Sequence, residues 1–383
     1  MKTKRHILET LTMLLALCIA IALVLRNGGT AIGYPAGPTP TPSNPQGLVP
    51  RAYLPVMTNN YMPPPPATTS IYVTKTDTQS LNTSGCNLAG KGQSGSIILD
   101  FGDAYPYSGN IARLPSVRIP VTSGQVEALA EAFLSGYWRC SQPGQHITVS
   151  IGTNNCSLGT PNGMDCPLGG NNLTYAHGQA WAQVVNDVSN WICCIGTDYS
   201  SRENVVGGID AELQWNTPAV TENWVHGYSS VSGVPGYYNF GNCNSCPNNV
   251  YSGGLGWVPS NGWTNADIWY ISWGAIKAFA VPEIYLVNTA NADQWYRVAL
   301  FAVGCNGACS SLCQTHTCIA SNQILFTGTL TQRDACRTAG CIGSDNRPED
   351  GWEQLWQALN TTTTDSRTAM TPPYSTDITW TYP

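Results

Sequence analysis

The chain has few charged residues. Asp, Glu, Lys and Arg make up 10% of its 383 residues, far below the roughly 25% of an average soluble protein. From Ile71 onwards there are 12 Lys and Arg against 22 Asp and Glu, and the basic residues form no cluster. Because nucleic-acid binding needs a basic face to replace phosphate counterions, we expect no nucleic-acid partner. A polar surface built from Gly, Ser, Thr and Asn is typical of an exported protein.

Common catalytic signatures are also missing. There is no His-Glu-x-x-His pair, which argues against a zinc protease, and no Gly-x-Ser-x-Gly elbow of the kind that serine hydrolases use. One Gly-x-Gly-x-x-Gly match, at 90–95, precedes an apolar run instead of joining a strand to a helix, so it predicts a turn. We expect the protein to need no metal and no organic cofactor.

The N-terminus has the pattern of an export signal. Lys2, Lys4 and Arg5 precede an apolar run at 11–25, which predicts a signal peptide or signal anchor over 1–30. The run is shorter than the ~20 residues of a spanning helix, so cleavage and membrane anchoring both stay open. Residues 31–70 are rich in Pro and Thr and predict an extended linker. The folded domain at 71–383 would then lie outside the cell or on its surface.

Cysteines support the same compartment. Setting aside Cys18 in the apolar run leaves 14 of the 15 cysteines, an even number, which predicts disulfides of open connectivity in an exported chain. Thiolates at Cys243 and Cys246, or in the cluster at 305–318, could instead bind zinc. An oxidising compartment favours disulfides.

Short apolar runs alternate with helical patterns after Ile71, and this alternation predicts βαβ units around a parallel sheet. We therefore predict an α/β fold of the (β/α)8 TIM-barrel type, braced by disulfides, with Cys-rich loop insertions at 242–262 and 305–321. The eight predicted strands are Ile97–Phe101, Ile147–Ile151, Val205–Leu213, Gly236–Phe240, Asp267–Trp273, Phe279–Leu286, Gln323–Leu330 and Asp377–Tyr382. The predicted helices are Ser123–Trp138, Thr174–Trp191, Pro218–Ser230, Ala292–Val303 and Pro348–Leu359.

Carboxylates follow several of the predicted strands. Asp210 and Glu212 alternate on one face of the third strand, and Asp100 and Glu283 lie at two others. Barrel sites form at the carboxyl ends of the strands, so we expect these acids to meet, and their repulsion would keep a proton on at least one. As a hypothesis, Glu212 is the general acid, and Asp210 or Asp100 is the base or stabiliser. Glu283 could exchange roles with either; the alternative is a purely structural acid pair.

Aromatic residues favour a sugar ligand. The chain has 13 Trp and 18 Tyr but only 6 Phe, and an indole or phenol ring can stack on the C–H face of a pyranose while its polar edge hydrogen-bonds. The predicted substrate-binding residues, which fall on or after strand ends, are Asn239, Trp215, Trp257, Trp263 and Trp273. Each of these four Trp residues could instead pack an insertion loop against the barrel.

The acidic strand resembles a known motif. Asp210-Ala211-Glu212 is similar to the Asp-x-Glu of the family 25 lysozymes, and the resemblance implies hydrolysis of a glycosidic bond by this pair on a barrel. An alternative alignment with the family 18 chitinases places Gln214 at the acid position, which implies a lectin without activity. The segments 98–102, 282–285 and 351–352 resemble secreted bacterial glycoside-hydrolase-like barrels.

Two function hypotheses follow. In the first, the protein is a secreted or surface-anchored glycoside hydrolase that acts on an extracellular or cell-wall polysaccharide such as peptidoglycan by paired-carboxylate chemistry. In the second, the same scaffold is a non-catalytic carbohydrate-binding or wall-attached surface protein. The sequence does not indicate an oligomeric state.

Overall fold

The computed structural model describes most of the predicted domain. The described residues are 62–157, 172–194, 199–243, 246, 262–308, 323–339, 346–361 and 366–380. The predicted signal segment, most of the predicted linker and most of both Cys-rich insertions, with Trp257, lie outside them. Among the described residues, no helix combines the length and apolarity that a membrane crossing would require.

The domain alternates strands and helices. Its strands are β1 (Thr68–Tyr72), β2 (Gly95–Ala104), β3 (Asn110–Arg113), β4 (Pro120–Thr122), β5 (Ile147–Ser157), β6 (Glu203–Asp210), β7 (Tyr237–Asn239), β8 (Ala278–Ala280), β9 (Thr329–Thr331) and β10 (Ser375–Trp380). Its helices are α1 (Thr78–Gly90), α2 (Ser123–Cys140), α3 (Tyr175–Cys194), α4 (Pro218–Ser229), α5 (Asn265–Trp269), α6 (Ala290–Ala308), α7 (Arg333–Ala339) and α8 (Pro348–Asn360). A π-helical turn, Tyr270–Gly274, continues α5.

Eight strands form a parallel sheet in the order β8-β7-β6-β5-β2-β1-β10-β9, and the antiparallel β3–β4 hairpin is attached to β2. The sheet curls into a half-barrel compatible with a TIM-like fold. Just after β8, Glu283 forms an isolated parallel bridge with Leu330 of β9, and the Leu330 N–H donates to the carbonyl of Pro282 at 2.9 Å. The two ends of the sheet order therefore touch at this bridge.

Apolar side chains fill both faces of the sheet because strand residues alternate. Odd-numbered residues such as Leu99 and Ile209 belong to the large core shared with the helices. A second cluster on the opposite, concave face contains Ile98, Val206 and Ile378. Asp100 and Asp210 have the register of this concave cluster, so the curl of the sheet brings them towards each other.

Most sequence predictions of elements are confirmed. All five predicted helices are present, each with ends within a few residues. Five predicted strands overlap observed ones, namely β2, β5, β6, β7 and β10. Two others, at 279–286 and 323–330, overlap the much shorter strands β8 and β9 at one end. Pro282 has no N–H for a ladder, which fits the end of regular pairing before it.

The predicted strand at 267–273 is wrong, because this segment is helical in α5 and the π-helical turn. Thr264 and Asp267 form a capping box: the Thr264 Oγ1 accepts from the Asp267 N–H at 3.3 Å, and the Asp267 carboxylate accepts from the Thr264 N–H at 2.7 Å. This reciprocal cap favours a helix start. The helix lies between β7 and β8, where the sequence had predicted no helix.

The strand that restores the count to eight is β1. It begins at Thr68, inside the segment predicted as linker, and pairs in parallel with both β10 and β2. Its five residues follow a proline-rich stretch and give little periodicity to read. Helix α1 was also missed, although Asp77 caps it by accepting from the Gln79 N–H at 3.0 Å.

Disulfides are confirmed in part. Cys86–Cys140 joins α1 to α2, Cys193–Cys194 lies at the end of α3, and Cys243–Cys246 follows β7. Cys156 and Cys336 are disulfide-bonded as well. Because Cys243 and Cys246 are oxidised, they do not form the alternative zinc site.

Helices α1 and α2 touch backbone to backbone. A Cβ added to Gly136 would lie 1.9 Å from the Asn82 carbonyl oxygen, and one added to Gly85 would lie 2.1 Å from that of Phe133. We expect Gly136→Ala to lower the free energy of unfolding by about 1–3 kcal/mol, although alanine normally stabilises a helix interior. Urea unfolding measures this effect. The control is Gly124→Ala at the start of α2, where nothing lies within 4 Å of the added Cβ; equal stability changes in the two variants would contradict the close contact.

Candidate active site

Two glycines let β6 approach its neighbours and carry Asp210 to the concave face. A Cβ on Gly207 would lie 2.4 Å from the Tyr228 hydroxyl of α4, and one on Gly208 would lie 2.8 Å from the Phe240 ring. The absence of a Cβ at both glycines therefore lets the strand pack closely between the helix layer and the concave cluster. Asp210 follows as the last residue of β6.

Glu212 lies just beyond the strand and is held by Asn155 of β5. The Glu212 N–H donates to Asn155 Oδ1 at 2.9 Å, and Asn155 Nδ2 donates to the Glu212 carbonyl at 3.1 Å. The fully buried side-chain amide thus replaces a ladder partner for the backbone of Glu212. This extends the strand alternation, so that Asp210 and Glu212 share a direction.

Three carboxyl groups converge. Asp210, Glu212 and Glu283 each offer an oxygen within 4.8 Å of the other two, and no side chain among them is more than 5% exposed. Asp100 stands nearby, where the regular pairing of β2 with β5 ends, and its charge contributes to the raised pKa of Asp210. The four acids predicted from the sequence are therefore neighbours.

Glu212 has the partners of an ionised carboxylate. Gln214 Nε2 donates to its Oε2 at 2.8 Å, and Asn242 Nδ2 donates to its Oε1. Burial raises the pKa of Glu212 to about 7, while hydrogen bonds with Glu283, Asn242 and Gln214 lower it. Donors to the charged form favour ionisation, so Glu212 can titrate near neutral pH.

Asp210 and Glu283 have the surroundings of protonated acids. Burial raises the pKa of each well above its usual value, and the negative charge of neighbouring carboxylates raises it further. Counted as carboxylates, Asp210 Oδ1 and Glu283 Oε2 are buried without a hydrogen-bond partner. A proton on Glu283 supplies a donor towards Glu212, and that contact raises the pKa of Glu283 and lowers the pKa of Glu212.

Asp100 also titrates near neutral pH. Burial raises its pKa to about 7, and the hydrogen bond that its Oδ1 accepts from the Gly102 N–H at 2.8 Å lowers it. Because four buried acids interact, they titrate as a group, and the net charge of the site depends on how many protons the four share.

The cluster lies close below the surface. Gln214, which contacts Glu212, is exposed, and Asn242 and Trp215 are half-buried. The backbone of Trp215 is bound to the site, because its backbone N–H donates to the Glu212 carbonyl at 3.1 Å. Of the predicted stacking residues, Trp215 is the one that the described contacts link to the acids.

The other predicted substrate-binding residues have structural partners. Trp263 is fully buried and donates its indole N–H to the Asn216 carbonyl at 2.8 Å, which leaves no ring face for a sugar. Trp273 packs edge-on against Phe279, with ring centroids 6.3 Å apart. Asn239 donates to Ser272 Oγ at 2.8 Å.

Sequence reasoning missed several residues that shape the site. Asn155 follows a strand just as the acids do, so the strand-end criterion could have found it. Tyr285, which donates to Glu283 Oε1, lies two residues after Glu283 and shares its face. Asn242 stands at the start of a Cys-rich insertion, and no sequence pattern marked its contact with Glu212.

The three convergent carboxyls are also the residues that would hold a metal ion. Carboxylate oxygens suit a hard cation such as Ca²⁺ or Mg²⁺. Six or more oxygens normally surround such an ion, and both oxygens of Glu212 already accept hydrogen bonds from side-chain amides. The hydrogen bonding of Glu212 therefore suits an acid–base site better.

No protein-family profile matches this chain, and none of the curated proteins searched matches it. The geometry and chemistry of the acidic cluster are therefore the features of this protein that indicate a function.

Proposed function

We propose that the protein is a secreted or surface-anchored glycoside hydrolase on a disulfide-braced (β/α)8 barrel, acting on an extracellular or cell-wall polysaccharide. The observation that carries the proposal is the convergence of Asp210, Glu212 and Glu283 within 4.8 Å at the carboxyl ends of parallel strands. Glycosidic cleavage needs one carboxylic acid and one carboxylate beside the scissile bond. The hydrogen bonds of this cluster supply such a pair.

Glu283 is the general acid and Glu212 the nucleophile in this mechanism. The first sequence-based hypothesis made Glu212 the proton donor and left open that Glu283 exchanges roles with it; we choose this exchange. The reason is that Gln214 and Asn242 stabilise the negative charge of Glu212, whereas burial and then the neighbouring carboxylates raise the pKa of Glu283 and keep a proton on it. Glu283 protonates the leaving oxygen while Glu212 attacks the anomeric carbon, and Glu283 then activates the water that releases the sugar.

The role of Glu283 can be tested with two leaving groups. We expect Glu283→Gln to slow cleavage of a polysaccharide roughly 100-fold or more, because general acid catalysis typically contributes that much. An aryl glycoside with an acidic phenol as leaving group needs little protonation, so the same variant should cleave it at nearly the wild-type initial rate for glycosylation. Equal losses on both substrates would contradict this role.

The spacing of the carboxyl oxygens predicts the stereochemical outcome. Inverting enzymes hold their carboxyls roughly 6.5–9.5 Å apart to admit a water, whereas retaining enzymes hold them roughly 5–5.5 Å apart. One oxygen of Glu212 lies within 4.8 Å of one oxygen of Glu283, which is too close for an intervening water, so we expect retention of the anomeric configuration. Proton NMR of the first products, before mutarotation, measures it; products of inverted configuration would contradict the mechanism.

The general test incubates the purified protein with peptidoglycan, chitin, chitosan and plant glucans and measures new reducing ends. A second candidate function, carbohydrate binding without turnover, is favoured by Gln214, the residue at the acid position in the chitinase-like alignment. Sugar binding without products from any of these polymers would support this candidate and contradict the hydrolase.

A further inference from the structure

The acidic cluster has no basic counterpart. Among the described residues, Asp100, Asp210, Glu212 and Glu283 take part in no salt bridge; the ion pairs found join other residues, such as Arg113 to Asp103 and Arg347 to Asp350. A buried carboxylate is costly unless a proton, a cation or hydrogen-bond donors compensate its charge. Bound protons therefore compensate the charge of the cluster, and a cationic ligand could take the place of one of them.

Two buried oxygens of the cluster have no hydrogen-bond partner, Asp210 Oδ1 and Glu283 Oε2. Glu283 already contacts Glu212 and Tyr285, so Asp210 is the acid left for such a ligand. Glu212 accepts from two amides, Glu283 from the Tyr285 hydroxyl, and Asp100 from the Gly102 N–H. Asp210 Oδ1 is buried and has no hydrogen-bond partner, and Asp210 as a whole is 5% exposed. Since an oxygen of Asp210 lies within 4.8 Å of an oxygen of Glu212 and of one of Glu283, a group that binds Asp210 also lies beside the reacting pair.

We propose that the substrate is a polysaccharide of hexosamine with free amino groups, and that Asp210 binds the ammonium of the sugar at the scissile bond. This inference rests on the proposed function. An ammonium offers Asp210 both a donor and a positive charge, and a charge-assisted hydrogen bond of this kind is about twice as strong as a neutral one. A hydroxyl or an acetamide offers only the donor.

The position of the amino group follows from the mechanism. In glycosidases, contacts with the substituent at C2 strengthen as positive charge develops in the ring. An ammonium at C2 would place its charge beside Asp210, next to the nucleophile Glu212. At longer range, the excess of 22 acidic over 12 basic residues from Ile71 onwards attracts a cationic polymer.

The test compares two probes of equal length: the β-1,4-linked hexamer of glucosamine and its fully N-acetylated form. With the full chain, calorimetry measures binding and product analysis measures cleavage. We expect the glucosamine hexamer to bind roughly ten- to a hundredfold more tightly, less so at high salt. At a pH below the pKa of the sugar amine, where the ligand is already an ammonium, binding should also release protons, seen as a dependence on buffer ionisation enthalpy, because the ammonium displaces the proton of Asp210.

Asp210→Asn keeps the shape of the side chain but removes its charge, so the preference ratio should fall to about one. If this variant does not fold, proton release by the wild type still tests the inference, because glucosamine binding without proton release would contradict an ammonium on Asp210. Glu203→Gln, at the other end of β6, is the matched control and should keep the preference.

The outcomes separate the two proposals. Tighter binding of the acetylated hexamer overturns the inference, and its cleavage would leave the hydrolase standing. Preference for the glucosamine hexamer with no cleavage of any polymer overturns the hydrolase but supports the ammonium site. Binding of Ca²⁺ or Mg²⁺ alone, lost in Asp210→Asn and with no preference between hexamers, overturns the inference in favour of a metal site.

Discussion

Glu212→Gln is expected to lower kcat for polysaccharide hydrolysis by about 1000-fold or more, because the variant loses the nucleophile and its charge stabilisation together. The amide has nearly the same shape as the carboxylate. The two hydrogen bonds from the Asn155 side chain hold the backbone of Glu212 and not its carboxylate. The fold should therefore persist. An aryl glycoside should not rescue this variant, in contrast to Glu283→Gln. Initial rates of reducing-end formation measure the effect.

The matched control is Glu203→Gln. Glu203 is the first residue of β6 and Asp210 the last, so the control alters a buried carboxyl on the same strand, roughly 23 Å away at ~3.3 Å per residue. It should retain wild-type activity. If Glu212→Gln kept activity comparable to that of the control, the acidic cluster would have no catalytic role.

The acidic cluster could be predicted because two regularities of strands combine. Side chains alternate along each strand, and the carboxyl ends of parallel strands meet at one edge. Asp100, Asp210 and Glu283 need only these rules to be placed together, and Glu212 follows from the same alternation. The prediction did not depend on exact strand ends, since Glu283 lies beyond β8.

The protonation pattern could not be predicted, because it depends on contacts between distant segments. The side chain of Asn155 in β5 holds the backbone of Glu212, and Asn242 after β7 donates to Glu212 Oε1. These contacts favour Glu212 as the ionised partner, and they are the reason for choosing, among the alternatives that the sequence left open, the one with Glu283 as the acid.

Errors in the predicted fold and binding residues also arise where the deciding contacts are not visible in the local sequence pattern. In the helical segment at 265–274, short apolar runs fit a strand or a buried helix equally well. The Thr264 cap, which distinguishes them, was not recognised. The position of Trp263 after a predicted strand suggests sugar binding, but the residue is fully buried and its indole N–H donates to the Asn216 carbonyl, a contact that nothing in the local sequence indicates.

Buried carboxyls predict a second large effect, on stability against pH. Burial raises the pKa of Asp100 and Glu212 to about 7 and that of Glu203 to about 9, whereas their unfolded values lie near 4. Between the unfolded and the folded pKa, the native protein keeps a proton that the unfolded chain has released. The free energy of unfolding therefore falls as pH rises from about 4.5 towards these folded pKa values.

Glu203→Gln isolates one contribution away from the site. At pH 7 the native Glu203 is still protonated while the unfolded one is ionised. Since pH 7 lies about 2.5 units above the unfolded pKa, this difference in protonation lowers the free energy of unfolding of the wild type by about 3 kcal/mol. The neutral amide removes this cost, so the variant should be more stable than the wild type at pH 7 by up to that amount and about equally stable at pH 4. Urea unfolding of both proteins at the two pH values measures the difference, with Glu353→Gln on α8 as control. If the wild type and Glu203→Gln changed in parallel with pH, Glu203 would not be the buried, protonated acid that the fold requires.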